Sequence, residues 1–252
     1  MKYKINNSIS PVLIKPNGEL VNIDINLFIK ALNLYNKKIN TFYNTKIDIA
    51  SILGMRNLSA VIGELFVQAF AESSDGLFIK NPHQDGYPDL LLMDTEGTQI
   101  YKQIETENLL QEKHRFSPFA SGGLEVKATC GSVPSQKDCN KKGVARPDIG
   151  DQRINLLKGY DWKAHHRDTN NLIGITWDFI NTIPTITSIQ FSSNLSEELW
   201  GKIIQPKEGG GRTTSVSIMT REGVATMLHG WIIMLDDDNY INFFEKYNNI
   251  KI

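Results

Sequence analysis

An α/β domain, bordering on α+β and built on a central mixed β-sheet flanked by helices, is what the sequence predicts. Strand-like and helical stretches intermix along the chain instead of segregating, and a periodic helix precedes the first pair of apolar strand segments. The composition, 40% hydrophobic and 22% charged over 252 residues, is enough to bury a sizeable core and excludes wholesale disorder. No internal repeat or low-complexity tract divides the chain, so residues 1–252 are expected to form a single domain.

Taken in order, the apolar residues Ile25, Leu27, Phe28, Ala31, Leu32 and Leu34 fall at helical spacing within 24–36. A stronger helix is predicted over 59–73, where Ala60, Val61, Leu65, Phe66, Ala69 and Phe70 line one side and Ser59 is placed to cap. Residues 81–88 are dense in turn formers and predict a loop. Residues 89–94 read as a short buried strand ended by a Glu96-Gly97 turn, residues 104–116 as a weakly amphipathic helix, and 119–123 as a second loop. Residues 124–130 alternate as a strand does, so Glu125 and Lys127 leave the same face.

Further on, 131–150 reads as an exposed connection and 152–160 as a short helix. Strands are expected at 172–180, 185–191 and 214–219. Helices are expected at 196–203 (capped by Ser196), 220–228 and 240–247.

The longest apolar run, around Trp231 to Leu235, is far shorter than the roughly 18 residues a membrane span needs. The first residues lack the apolar stretch of a signal peptide, so the expectation is a cytoplasmic protein with no membrane partner. Cys130 and Cys139 are too few for a disulfide framework or a four-ligand zinc site and are expected to be reduced. The net charge of −1 argues against a general polycation. Between Glu125 and Arg167, however, nine basic residues face five acids. Such a local excess fits either a polyanion partner or an ordinary solvated face.

The residues that carry chemistry are Pro88-Asp89, opening one strand, and Glu125-Val126-Lys127 inside another. Two converging carboxylates make a hard-oxygen site suited to Mg²⁺, which polarises a phosphate and lowers the pKa of water. A lysine on the same strand face can orient that water or neutralise charge building on the phosphorus. Asp85, four residues upstream, is a rival first ligand, and Asp94 lies at the strand's other end. Asp89 is preferred because it begins the apolar run that would hold it rigidly. The bland alternative is an exposed Glu125/Lys127 pair worth only about 0.2–1 kcal/mol.

These residues resemble the motif of the PD-(D/E)XK nucleases, the superfamily of most type II restriction endonucleases. The resemblance covers about residues 59–130 and implies a restriction-endonuclease-like core with Asp89 and Glu125 as metal ligands and Lys127 as the catalytic lysine. Glu64 sits on the preceding helix where this family often carries an accessory catalytic acid. Residues 1–58 and 131–252 would then supply recognition and dimerisation.

The implied activity is Mg²⁺-dependent, sequence-specific hydrolysis of double-stranded DNA by a homodimer, with a cognate DNA methyltransferase as functional companion. A structure-specific repair or recombination nuclease of the same fold, or a non-catalytic DNA-binding protein, are the alternatives.

Candidate DNA contacts are Arg153, Lys158, Lys163, His165, His166 and Arg167, whose charges suit phosphates. A second group follows three glycines at 209–211: Arg212, Thr213 and Thr214, where close backbone approach suits base readout. A solvated turn and a plain linker are the competing readings of these two segments.

Overall fold

The computed structural model describes residues 1–45, 52–83, 86–164, 170–206, 215–248, 250 and 252. Three short strands open the chain, β1 (Tyr3–Ile5), β2 (Val12–Ile14) and β3 (Leu20–Asn22), followed by helices α1 (Ile25–Tyr43) and α2 (Met55–Ser73). Then come β4 (Phe78–Lys80), β5 (Leu90–Leu92), α3 (Thr95–Thr106), β6 (Gly123–Thr129), α4 (Gln136–Lys142) and β7 (Lys163–Ala164). A long hairpin, β8 (Leu172–Ile180) and β9 (Ile183–Ser192), precedes β10 (Ser217–Ile218), α5 (Arg221–His229), β11 (Trp231–Leu235) and α6 (Asp238–Asn248).

Seven strands form one mixed sheet in the order β1-β11-β9-β8-β6-β5-β4. Only β6 and β8 run parallel; every other neighbouring pair is antiparallel. The α/β expectation of a central sheet with flanking helices holds. Among the described residues no helix is long and apolar enough to cross a membrane.

Alternation along β8 divides the sheet into two faces. Ile173, Ile175, Trp177 and Phe179 pack on α1 and α2, where Phe28 and Phe70 meet edge to face with centroids 5.2 Å apart. Burying each such phenylalanine contributes roughly 1.5–3 kcal/mol. The other face carries Leu172, Gly174, Thr176 and Asp178, under a second apolar layer that includes Trp162, Trp200, Met227 and Phe244.

That second face is partly polar. Thr176 bonds Thr187 at 2.8 Å, and the Asp178 carboxylate accepts the amides of Arg153, Ile154 and Phe179 and the Tyr240 hydroxyl at 2.8–3.0 Å. Burial raises the Asp178 pKa even against these donors.

Several elements differ from the sequence expectation for identifiable reasons. Helix α1 runs on to Tyr43 because Tyr35 and Ile39 continue its buried stripe. Helix α2 begins four residues before Ser59, with Gly54 at the cap position and no side-chain cap bond. Ser59 instead accepts the Trp177 indole N–H at 3.2 Å.

The Glu96-Gly97 pair is no turn. Asp94 Oδ1 caps α3 by accepting the Gly97 amide at 2.8 Å. Gly97 is required there by packing, since a Cβ would lie 2.0 Å from the Leu92 carbonyl oxygen. The helix expected over 104–116 is therefore displaced towards the N-terminus, leaving only a 3₁₀ turn at Lys113–Arg115. Residues 154–156 and 197–199 are likewise single 3₁₀ turns, and 131–150 contains the short helix α4. Both cysteines are free.

The N-terminal strands are latched to α3 by a buried lysine. Lys15, with a side chain 3% exposed, lies 2.8 Å from Asp94 Oδ2, 2.6 Å from Glu96 Oε2 and 3.2 Å from Glu19 Oε2. Burial alone would push the Asp94 carboxyl up, but the Lys15 hydrogen bond, with the Gly97 amide, holds it below its ordinary value. Because the folded pKa is the lower one, this stabilisation is present above the unfolded value of about 3.9 and is lost as pH falls through the folded pKa. Asp94→Asn keeps an acceptor for the Gly97 amide but removes the charge. It should lower stability at neutral pH and flatten the loss between about pH 5 and pH 2, measured by urea unfolding across that range. An unchanged acid limb would show that Lys15 and Asp94 are not coupled.

Candidate functional site

The site begins where β5 and β6 meet. Their register sets Leu90 opposite Leu124 and Leu91 opposite Gly123. The strands approach so closely at Gly123 that a Cβ there would lie 1.9 Å from the Leu90 carbonyl oxygen and 2.7 Å from Pro88 Cγ.

Asp89 precedes β5 by one residue and is fixed through its backbone, its carbonyl accepting the Asn81 amide at 2.9 Å. The buried Asn81 side chain donates to the carbonyls of Pro88 and Phe116, both at 2.9 Å, and so ties the entering loop to the far end of the α3 excursion. The Asp89 carboxylate then takes over where the ladder stops, with Oδ2 accepting the Val126 amide at 2.8 Å.

On β6, Glu125 and Lys127 stand opposite Leu172 and Gly174 in register and so share the face of the sheet covered by Trp162. The expected same-face pairing holds, but the pair is not the exposed one of the bland reading. Glu125 is 5% exposed. The Lys127 ammonium donates to Glu125 Oε1 and lies 3.8 Å from Asp89 Oδ2, so it sits between the two acids. The Trp162 indole donates to the Lys127 carbonyl at 3.1 Å. Glu125 Oε2 is buried with no hydrogen-bond partner.

The electrostatics follow from this enclosure. Burial, and after it the charge of Glu125, pushes the Asp89 carboxyl up to about 7 despite the nearby Lys127 and the Val126 amide. For Lys127, burial favours the neutral amine, but Glu125 and Asp89 outweigh it and its pKa is raised. The lysine is therefore a firm cation, and an extra positive charge near the acids would be welcome.

Glu64 reaches the same region from α2. Ala60, Glu64 and Val67 follow one another at helical spacing along one side of a cleft of about 510 Å³, with Lys80, Asn81 and Asp89 opposite. Its carboxylate is spent on Lys80, with Oε2 2.6 Å from Nζ, and not on the Asp89 group directly. Among the described residues no three His, Cys, Asp or Glu side chains gather as a ready metal cluster. Asp85 lies outside the described residues, and Asp94 is engaged in the α3 cap and the Lys15 pair.

The candidate DNA contacts are scattered. Lys158 and Lys163 are exposed, beside Asp138 at 4.0 Å and Asp161 at 3.6 Å respectively. Arg153 is only 8% exposed, its amide held by Asp178, so it belongs to the packed interior and not to an open basic face. His165, His166, Arg167, Arg212, Thr213 and Thr214 lie outside the described residues. The residues bordering those two segments are nonetheless joined, because Ala164 of β7 pairs with Ser217 of β10.

Sequence reasoning missed Lys80, Asn81 and Trp162. For the first two, the available signal was the apolar Phe78-Ile79 running straight into the Asn81-Pro82 turn.

Gly123→Ala should push β5 from β6 at the point that brings Asp89 to Val126. A loss of about 2 kcal/mol or more in unfolding free energy is expected, in the range of an overpacked core site. Denaturant unfolding checks it, and a wild-type midpoint would overturn the close-approach argument.

Comparison with protein-family models, with curated proteins and with solved structures finds no match for this chain.

Proposed function

We propose that this protein is a Mg²⁺-dependent, sequence-specific DNA endonuclease of the type II restriction class. The observation that carries the reading is the convergence of Asp89, Glu125 and Lys127 on neighbouring strands, with one buried Glu125 oxygen left without a partner. A buried carboxylate oxygen left unpaired costs free energy, and a hard divalent cation is the partner its chemistry prefers. The donor set therefore fits Mg²⁺, which Asp89 and Glu125 would hold. Once bound, Mg²⁺ would supply Lewis-acid polarisation of the scissile phosphate and a more acidic water.

The chain's own residues account for the rest. Asp89 and Glu125 place negative charge where a cation must sit, and the backbone bond to Val126 fixes the first of them. Lys127, held beside both acids, would offer its ammonium to the phosphate oxygens as charge builds there. The indole of Trp162, bonded to the Lys127 carbonyl, keeps the lysine's backbone from shifting. A homodimer acting on both strands of a palindromic duplex, and a companion methyltransferase protecting the same sequence, complete the proposal.

Asp89→Asn and Glu125→Gln are expected to remain folded, since each keeps an oxygen acceptor and loses a repelled charge. Each should reduce Mg²⁺-dependent cleavage of supercoiled plasmid to background. Wild-type turnover by either variant would overturn the metal assignment. Discrete fragments from the wild-type protein are expected. Cutting confined to branched junctions would point instead to a repair or recombination nuclease.

Lys127→Ala should lower the single-turnover rate by roughly 10²-fold or more while duplex binding in Ca²⁺ is retained. If binding falls in proportion to rate, Lys127 is a DNA anchor and not a transition-state group.

A further inference from the structure

We propose that Lys80 is a displaceable counter-ion: it neutralises Glu64 while the cleft lacks a divalent cation, and it contacts a DNA phosphate once that cation is bound. The inference rests on the nuclease reading above and adds to it a substrate-binding residue that the motif does not contain.

Placement is the first argument. Lys80 ends the edge strand β4 and pairs in register with Leu90, the residue after Asp89. The amide of the next residue, Asn81, is bonded to the Asp89 carbonyl. The backbone carrying the ammonium is thereby fixed to the backbone carrying the first carboxylate. Alternation along β4 puts Lys80 on the side of Phe78, which packs against the α1/α2 layer, and it meets Glu64 of α2 there.

The strength of the pair is the second. Both side chains are about half exposed, 50% for Lys80 and 53% for Glu64. An ion pair this open is worth about 0–1 kcal/mol, so a divalent cation shared by Glu64 and Asp89 can outcompete it. Lys127, beside a Glu125 side chain only 7% exposed, is far less free to leave.

Charge balance is the third. With Asp89 ionised, the charges lining the cleft are Glu64 and Asp89 against Lys80, a net charge of −1 that repels a phosphodiester. When the acids hold a divalent cation the balance becomes +1, Lys80 is released from Glu64, and its ammonium lies free in a cleft of about 510 Å³. Lys80 then grips phosphate only in the cation-loaded state, so that duplex binding and cation binding reinforce each other.

The test uses the full chain, Ca²⁺ as the cation and a short mixed-sequence duplex as the DNA probe, so that no cleavage is required. Lys80→Met keeps the aliphatic stem and removes the charge, and Lys80→Gln serves as a second neutral variant. In a thermal-shift titration both should show a Ca²⁺ midpoint about two- to fivefold lower than wild type, because the competing ammonium is gone. In Ca²⁺, the slope of log K for the duplex against log salt should fall by about 0.9, one lost phosphate contact. An unchanged Ca²⁺ midpoint, or an unchanged salt slope, overturns the proposal. Asp89→Asn separates the two levels. If wild type responds to Ca²⁺, Asp89→Asn does not, and Lys80→Met matches wild type, then only the Lys80 inference fails. If wild type shows no Ca²⁺ response, the nuclease reading fails with it.

Discussion

Just before β5 begins, the amide of Val126 would lack a ladder partner inside the protein, and the carboxylate of Asp89 supplies one at 2.8 Å. An unmet buried amide costs about 1–3 kcal/mol, so this side chain is held by the same requirement that holds the sheet together. Strand β6 is clamped on its other edge too. The Glu125 amide donates to the carbonyl of Asn171, whose side chain exchanges two hydrogen bonds with the backbone of Ile14 at 2.9 and 2.7 Å. The N-terminal hairpin, the parallel β6–β8 pair and the entry to β5 thus converge on a few residues. Acids that repel one another are kept together by backbone bonds they cannot leave.

The opposite edge of the same arrangement explains why the sheet tolerates polar residues in its centre. Thr176 and Thr187 lie against Tyr160 and Asp178 against Tyr240, and their oxygens have hydrogen-bond partners. A satisfied network of this kind rigidifies a core, whereas a partly satisfied one would weaken it. Among the described residues, Glu125 Oε2 and Gln190 Oε1 are a buried carboxylate oxygen and a buried amide oxygen without hydrogen-bond partners. Only the first lies beside a cleft-lining acid and a lysine.

The sequence made the long, strongly patterned elements legible. The strand over 172–180 matches β8 residue for residue, and the β6 face bearing Glu125 and Lys127 follows from simple alternation. What escaped depended on groups far apart in the chain. Gly97 resembles a turn residue until the Leu92 carbonyl that excludes a Cβ is known. Arg153 resembles a surface cation until Asp178, twenty-five residues on, is seen to hold its amide. Three-residue strands such as β1 and β2 have no periodicity to detect and exist only because a partner edge is presented to them. Glu125 and Lys127 were readable because they sit at a fixed offset on β6, and Asp89 because it immediately precedes the apolar run of β5. Lys80 was not, because its relevance comes from a cross-strand register with Leu90.

The β8–β9 hairpin closes through Asn181 and Thr182, both with positive φ (51° and 66°), the two-residue turn whose twist suits paired strands. Pairs formed across so short a loop cost little closure entropy, whereas β6 must cross more than thirty residues to lie parallel to β8. Loop closure alone therefore favours the hairpin over the β6–β8 pairing as the earlier contact. Asp89 and Glu125 meet through the β5–β6 pairing, which likewise closes a far longer loop than the hairpin's two residues. A chain in which only the hairpin has formed holds that framework without the charge cluster, which is complete only when β5 meets β6.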